Sequence, residues 1–408
     1  MSSTERLAAA GLTASTVMLL TAGLSMLQPL STDLYLPTLP AIASHFDASV
    51  ATVQWTLSVF IAVFGAWQLV AGPLTDRYGR YPLITLGAAV YAAASLLCMA
   101  APSMAVLVLG RALQALGACT CLVGARGVVR DLYTPSEGAR MLASAATIMS
   151  FAPLLGPIVG AQLAGAFNWR AAFAALAVFS LSLAIFAGLT LKETNTRRNP
   201  QALALGPMLR TYRQVLRSPA FRAYTLAAAS TYAGLFAFIS GSSFVLMRSL
   251  GQSATAYAFS FSTMVAGYLV GTLFCRRLLP RHGMQRTIAV GASLQVIAGL
   301  AMAALALAGV HVPAAIAVPM FFYGLSHGIV QPPSQSGAVA PFPGNAGAAA
   351  ALLGFSMMLI AACVGAWMGA SYNGTVYPLT LTVAACSLAT ALVAFTLVRH
   401  HGDVAHHG

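Results

Sequence analysis

Long apolar segments separated by short polar loops recur along the whole chain. A membrane-spanning helix needs roughly 20 predominantly apolar residues, and we place twelve segments of about that length. They lie near residues 12–36, 50–71, 81–101, 103–125, 141–166, 171–191, 223–247, 254–274, 287–309, 313–331, 346–371 and 378–398. The pattern therefore predicts an all-α membrane protein with twelve transmembrane helices.

The longest polar stretch, residues 192–222, leaves six predicted helices on either side. We therefore predict an N-terminal six-helix bundle over 1–191, a cytoplasmic linker over 192–222 and a C-terminal six-helix bundle over 223–408. A short repeat supports duplication, because GPLTDR after the second helix reappears as GTLFCR after the eighth. Six spans separate the two copies, as duplicated halves require.

Composition and charge agree with a membrane protein. With 59% hydrophobic residues, 7% charged residues and a mean hydropathy of +0.80, a soluble chain of 408 residues could not cover its surface. The net charge of +13 could suggest a nucleic-acid partner, but the arginines are spread over short loops. The positive-inside rule explains them better, since only Arg170 and Arg248 fall in loops on the opposite side. We expect both termini in the cytoplasm, a lipid bilayer around the helices and no nucleic acid.

Asp33 is the only one of the eight acidic residues that we place inside a span. A charged side chain near the bilayer centre costs about 2.5 to 3.5 kcal/mol, so such residues usually line a water-accessible path. Pro29, Asp33 and Pro37 share one side of the first helix, and Pro37 should leave the Asp33 carbonyl without its helical partner. We predict that Asp33 binds and releases a proton in a kinked helix. The alternative is a hydrated, idle residue near the interface.

Arg111 falls within the fourth predicted helix and has two interpretations. RALQALG at 111–117 resembles the motif R-x-x-Q-G that major facilitator antiporters carry in helix 4, which implies an arginine that faces the cavity of the N-terminal bundle. A cation there would favour the ionised Asp33 carboxylate, whereas loss of water would favour the neutral acid. Movement between states could then switch the proton on and off. Alternatively, Arg111 is a structural residue that extends to the membrane surface. Gln114 lies three residues further, on a neighbouring face.

The loop GPLTDRYGR at 72–80 resembles the motif G-x-L-x-D-R-x-G-R that the major facilitator superfamily carries between helices 2 and 3. Other matches are STDLYLPTLP in helix 1, GRALQALGA and ARGVVRDLY in helix 4, APLLGPIVGA in helix 5, FAFISGSSFV in helix 7 and APFPGNAGAAAALLGF before helix 11. Together they look like the Bcr/CflA-type drug:proton antiporters, the bicyclomycin and chloramphenicol resistance exporters. The resemblance covers nearly the whole chain.

The resemblance implies a conformational latch at the 2–3 loop. In related transporters the loop aspartate engages the start of helix 11, and the loop arginine engages an acid at the inner end of helix 4. The corresponding residues here are Gly72, Asp76, Arg77, Gly79, Arg80 and Asp131. Physically, the glycines permit close approach and tight turning, and the charges can pair. The alternative is that the arginines only fix the topology.

The fifth predicted helix resembles the antiporter motif G-x-x-x-G-P-x-x-G-G, with Ala152 and Ala161 replacing two glycines. Its matching residues are Pro153, Gly156, Pro157 and Gly160. Pro157 should free the carbonyl of Pro153 and kink the helix, while the small residues allow close packing. By resemblance this favours export; on physical grounds it indicates only a bent, tightly packed helix.

A drug-binding cavity would be lined by aromatic and weakly polar side chains from both halves. The candidates are Tyr35, Gln54, Trp55, Ser58, Trp67, Gln114, Tyr232, Phe236, Phe238, Ser243, Phe244, His327 and Gln331. Each could instead face lipid or pack against protein. His327 is the only histidine that we place inside a span, and it could titrate near neutrality or be a packed core histidine.

Together these features predict a multidrug antiporter of the bacterial inner membrane, with small lipophilic drugs as substrates and Asp33 as the proton carrier. It would work as a monomer by alternating access. A proton gradient would supply the energy, without cofactor or metal, because the six cysteines lack metal-ligand spacing. The sequence has no GxxxxGK[ST] loop and no Ser/His/Asp arrangement, so we expect no enzyme. The alternatives are a proton-coupled transporter of sugars or other metabolites and a membrane receptor or lipid-handling protein without transport activity.

Overall fold

The computed structural model describes residues 3–196 and 198–402, and the regular structure in this part of the chain is helical. The helices are α1 (Ser3–Ala10), α2 (Ala14–Asp33), α3 (Leu39–His45), α4 (Val50–Tyr78), α5 (Arg80–Met99), α6 (Met104–Leu132), α7 (Pro135–Met149), α8 (Phe151–Ala166), α9 (Arg170–Thr190), α10 (Leu205–Arg217), α11 (Pro219–Ser243), α12 (Ala254–Leu307), α13 (Ala314–Val339), α14 (Ala346–Ser371), α15 (Tyr377–Val393) and α16 (Arg399–His401). Short 3₁₀ turns cover Leu36–Thr38 and Pro343–Asn345, and π-helical turns cover Phe244–Ser249 and Ala394–Val398.

Ten helical segments in the described residues are long and apolar enough to cross a membrane, and one of them, Ser136–Ala166, runs through both α7 and α8. Another, α12, has 54 residues and is interrupted at Gly283, where φ is 72°. It therefore supplies two of the predicted spans, 254–274 and 287–309. The 20-residue α2 supplies the first predicted span, although Gln28 and Asp33 make it more polar than the others. The prediction of an all-α membrane protein is confirmed, and each of the twelve predicted segments is helical over most of its length.

The chain forms two compact units. The first contains the residues up to Tyr35 together with Val63–Met208, and the second contains Leu36–Ala62 together with the chain from Leu209 onward. The first half of α4 therefore packs within the second unit.

The first predicted helix differs from expectation at its end. The helix α2 stops at Asp33, and Pro37 lies in the 3₁₀ turn that follows. The predicted kink within a continuous helix is wrong, because a proline ring clashes with the carbonyl four residues earlier and α-helical backbone is disfavoured just before it. Asp33 is therefore the last residue of a helix rather than a residue within one.

The fifth predicted span consists of two helices, α7 and α8, that meet at Ser150. Pro153 has no N–H to offer to the carbonyl of Met149, which is the last residue of α7. Pro157 lies inside α8 without interrupting it. The sequence predicted a kink at Pro157; the interruption lies instead at Ser150, where Pro153 accounts for it.

Candidate functional site

Asp33 is buried at the end of α2, with 4% of its surface exposed. The Thr32 hydroxyl donates a hydrogen bond to Asp33 Oδ1 over 3.0 Å. The helix α8 packs directly on the end of α2, since a Cβ added at Gly156 would lie 3.1 Å from the Asp33 Cβ. A Cβ added at Gly160 would overlap the carbonyl of Leu34. Only glycine allows this approach, so the structure brings the antiporter-motif glycines to the proposed proton site.

Arg111 is fully buried in α6, which excludes the alternative that it extends to the membrane surface. Its Nη1 donates to Gln114 Oε1 over 2.8 Å, and Gln114 Nε2 donates to Ser95 Oγ over 2.7 Å. The guanidinium carbon lies 4.9 Å from the centre of the Tyr35 ring. This is cation–π distance. Because Tyr35 follows Asp33 by two residues, the structure brings the buried cation to the same turn as the buried acid.

Sequence reasoning missed the polar residues of α5 that join this site. Tyr91 and Ser95 are one helical turn apart, and both are fully buried. The Tyr91 hydroxyl lies 2.5 Å from Ser31 Oγ on α2, while Ser95 accepts the hydrogen bond from Gln114. Their i, i+4 spacing within an otherwise apolar span was the available signal.

Arg80 is the centre of the predicted latch. It is 2% exposed, and its Nη2 lies 2.6 Å from Asp76 Oδ1 while its Nε lies 3.0 Å from Asp131 Oδ2. The guanidinium crosses α6 at Gly127, where an added Cβ would lie 2.7 Å from Nε. Arg77 is exposed and lies over the ring of the adjacent Tyr78. Of the two arginines in the motif, Arg80 is therefore the partner of the helix 4 acid.

The two motif glycines have different surroundings. Gly79 has a φ of 105°, a conformation that favours glycine, and makes the tight turn between α4 and α5. At Gly72, an added Cβ would meet no described atom within 4 Å. The close approach predicted at Gly72 is therefore absent. The predicted contact of Asp76 with the start of helix 11 stays a prediction.

The segment after α9 closes over the latch, which sequence reasoning treated as plain linker. Glu193 Oε1 accepts hydrogen bonds from the backbone N–H groups of Arg80, over 2.9 Å, and Asn195, over 2.8 Å. Asn195 Nδ2 and the backbone N–H of Asn199 both donate to the carbonyl of Asp76, over 3.1 and 3.0 Å. We call residues 193–196 and 198–199 the linker clasp. The signal was Glu193 itself, one of few acids in a basic chain.

The second unit has its own buried polar network. The hydroxyls of Tyr323 and Thr390 donate to backbone carbonyls, so each must accept from Gln295 Nε2, over 2.7 and 3.3 Å. This fixes Gln295 Oε1 toward Thr231, whose hydroxyl donates to it over 2.9 Å. Thr231 Oγ1 then accepts from His327 Nδ1, which lies 3.1 Å away. The network thus assigns the Nδ1–H tautomer to His327.

The predicted cavity residues of the second unit do not share one environment. Tyr232 lies beside both Phe236 and His327, with ring centres 6.3 and 6.2 Å apart. Phe238 stacks on Phe261 instead. Two further candidates make hydrogen bonds: Gln54 donates to the Ser240 carbonyl, and Gln331 donates to Met357 Sδ. Ser58, Ser243 and Phe244 are buried, whereas Trp55 is 53% exposed. In the first unit, Trp67 donates to Thr120 Oγ1 over 2.9 Å.

Multiple apolar spans with buried polar clusters in each unit are features of membrane transporters. The chain belongs to the Major Facilitator Superfamily, whose sequence model matches residues 21–366. This is a family of transporters, and its membership confirms the predicted class of protein.

Two proteins of similar sequence are named as resistance proteins. The chain is 26% identical over 383 residues to the bicyclomycin resistance protein homolog of Haemophilus influenzae, which covers 93% of this chain and 96% of the relative. It is 28% identical over 390 residues to the multidrug resistance protein MdtL of Escherichia fergusonii, covering 94% and 97%. A solved D-xylose-proton symporter has the same fold, with a TM-score of 0.71, 13% identity and coverage of 95% and 98%.

Proposed function

We propose that this transporter is a proton-coupled multidrug antiporter of the bacterial inner membrane, with both termini in the cytoplasm. The single observation that carries the proposal is the environment of Asp33. It is a buried acid at a helix end and is packed against the glycines of α8, and Tyr35, two residues further along the chain, contacts the buried Arg111. The names of the relatives, which are bicyclomycin and multidrug resistance proteins, support drugs as substrates.

The arrangement provides a way to take up and release a proton. Loss of water favours the neutral form of a carboxyl group, and approach of a cation favours the ionised form. Asp33 is the last residue of α2, so small movements of α2 against α8 and α6 change its access to water and its distance from Arg111. Such a group binds a proton in one state of the transporter and releases it in the other.

The rest of the cycle follows from this assignment. Alternating access exposes Asp33 to one side of the membrane at a time, and the inward proton gradient drives export of small lipophilic drugs. The latch around Arg80 stabilises one of the two states, since its ion pairs join the ends of three helices. In this scheme a monomer suffices, and neither a cofactor nor a metal takes part.

The test is drug transport in everted vesicles that carry the Asp33→Asn variant. Asn keeps the size and hydrogen-bonding capacity of the side chain but cannot ionise. We expect loss of proton-driven accumulation of lipophilic antibiotics, with energy-independent drug binding retained. Asp47→Asn is the matched control, because Asp47 is an exposed acid with a φ of 47° that asparagine also tolerates.

Two outcomes would contradict the proposal in different ways. Proton-driven drug transport that survives in Asp33→Asn would show that another group carries the proton. Absence of drug transport by the unaltered protein, with proton-dependent uptake of a sugar or another metabolite instead, would show that the substrate class is wrong.

A further inference from the structure

The distribution of charge in the second half of the chain is one-sided. Residues 209–402 contain ten arginines and no acidic residue. All but one of the acids in the whole chain precede Thr194, and the remaining one, Asp403, lies outside the described residues. The arginines of this half therefore have no carboxylate of their own half, within the described residues, to neutralise them.

Nine of these arginines belong to segments at one end of the second unit. Three are on α10, one is Arg222 in the first turn of α11, four lie near the break at Gly283, and one is Arg399. The segments meet, because the Tyr224 hydroxyl donates to the Gly402 carbonyl over 3.0 Å. A Cβ added at Gly402 would also lie 2.9 Å from Gln285 Nε2. We call this the basic end; the tenth arginine, Arg248, contacts Ser44 instead.

The helix α10 carries an exposed apolar stripe beside its arginines. Tyr212 and Val215 are buried, which fixes the side that faces the protein. Leu209 and Leu216 are 59% and 45% exposed, and they share a face because residues seven apart lie within about 20° of each other on a helix. On the same geometry Arg210, Arg213 and Arg217 lie next to this face, on the side away from Tyr212, and all three are exposed.

The position of α10 along the chain indicates its depth in the membrane. The helix α10 ends at Arg217, and the next residue, Ser218, caps the membrane-spanning α11 because its hydroxyl oxygen accepts a hydrogen bond from the Phe221 N–H. The C-terminal end of α10, with Leu216 and Arg217, therefore lies at the level where a membrane helix begins. An amphipathic helix at that level places its apolar side in the acyl boundary and its basic side among the headgroups.

We propose that the basic end is a binding surface for anionic phospholipids, with α10 lying in the membrane–water interface. The exposed leucines contact the upper acyl chains, and the arginines donate paired N–H groups to lipid phosphates, a geometry that guanidinium groups favour. The absence of acids within 209–402 leaves the arginines available for lipid. This inference does not depend on the transported substrate.

The test uses the full chain reconstituted in phosphatidylcholine bilayers containing spin-labelled phosphatidylglycerol or spin-labelled phosphatidylcholine. Electron paramagnetic resonance measures which labelled lipid is immobilised at the protein. We expect a preference for phosphatidylglycerol that falls by up to about 25-fold in the double variant Arg213→Gln/Arg217→Gln, since each arginine near an anionic surface contributes about fivefold. The preference should also fall at high salt.

The matched control is Arg170→Gln/Arg248→Gln, which removes the same charge from loops on the opposite side of the predicted topology. It should keep the preference of the unaltered protein. A second double variant, Leu209→Gln/Leu216→Gln, should weaken lipid immobilisation without changing the charge. Size-exclusion chromatography and circular dichroism establish that each variant is folded.

Three results would overturn the inference. One is an unaltered protein with no preference for phosphatidylglycerol, which would leave the arginines to an acidic protein partner. Another is an Arg213→Gln/Arg217→Gln variant with the full preference. The third is an equal loss in the control variant, which would show that only net charge matters.

Discussion

Arg80 donates its Nε–H to the carboxylate of Asp131 over 3.0 Å, joining the first turn of α5 to the last turn of α6. The same guanidinium donates to Asp76 and to the Thr75 hydroxyl. Arg130 adds a second cation at Asp76, 2.8 Å away. Three helix ends therefore depend on one buried side chain.

We expect Arg80→Gln to lower the free energy of unfolding by about 2 kcal/mol, between the values for exposed and buried ion pairs. Asp131 is 16% exposed and would lose its partner in a site that is only partly hydrated. Arg77→Gln is the matched control and should cost less than about 0.5 kcal/mol, because Arg77 is exposed. Thermal unfolding in detergent followed by tryptophan fluorescence compares the two. Equal effects would show that burial of Arg80 is unimportant.

The linker clasp gives a second prediction. Glu193→Ala removes the acceptor for the backbone N–H groups of Arg80 and Asn195, and hydrogen bonds to a charged group contribute about 1.5–3 kcal/mol. We expect hydrogen exchange in the peptides that contain these two amides to become at least about tenfold faster, as measured by mass spectrometry. Glu193→Gln retains an acceptor oxygen and should give a smaller change.

The control for the clasp is Arg198→Gln. Arg198 pairs with Glu193 at 3.6 Å and is 55% exposed, so this ion pair should contribute little. If Arg198→Gln accelerates exchange as much as Glu193→Ala does, the clasp depends on charge pairing and not on the backbone hydrogen bonds.

The apolar pattern was enough to predict the fold, because each span must satisfy its backbone hydrogen bonds within itself. Contacts between spans were less accessible. The motif spacing placed Arg77 and Arg80 in one loop, but it did not show which of them is buried. Arg80 is buried because Gly79 has a positive φ and because Gly127 has no side chain to block the guanidinium. Glu193 is conspicuous as one of few acids, but its position in the sequence does not indicate which loop it contacts.

The same limit applies at the candidate proton site. Asp33 was conspicuous as an acid in an apolar segment, and the glycines of α8 were conspicuous as a motif. Their contact joins residues that are more than 120 positions apart, and it depends on how the turn after α2 is built. Helical periodicity describes one helix at a time, so it does not predict which helix covers the end of another.

Packing of α8 on this turn provides a third prediction. In Gly160→Ala the new methyl group would overlap the Leu34 carbonyl, so α8 must move away from Asp33. Forcing a methyl group into a packed interior costs about 1–3 kcal/mol. We expect a lower unfolding temperature and slower drug export. Gly156→Ala should be milder, because its Cβ would stand 3.1 Å from its neighbour.

Gly165→Ala is the control for this prediction within the same helix. An added Cβ there meets no described atom within 4 Å. Replacing a glycine inside a helix by alanine stabilises it by about 0.5–1 kcal/mol, so the unfolding temperature should rise slightly and export should be unchanged. A loss of export in Gly165→Ala comparable to that in Gly160→Ala would contradict a specific role for the α8 contact with the Asp33 turn.

The tautomer of His327 gives the last prediction, which separates a packed histidine from a second proton carrier. Its Nδ1–H donates to Thr231 Oγ1, and the amide of asparagine can offer an N–H close to the same position. Glutamine places its amide nearer the position of Nε2 and should leave Thr231 without this donor. We therefore expect His327→Gln to be less stable than His327→Asn by about 1 kcal/mol, the contribution of one hydrogen bond. If Asp33 alone carries the proton, His327→Asn also exports drug with unchanged proton dependence, as measured by the ratio of protons to drug in everted vesicles. A lower ratio in His327→Asn would make His327 a second carrier and the cycle a two-proton cycle.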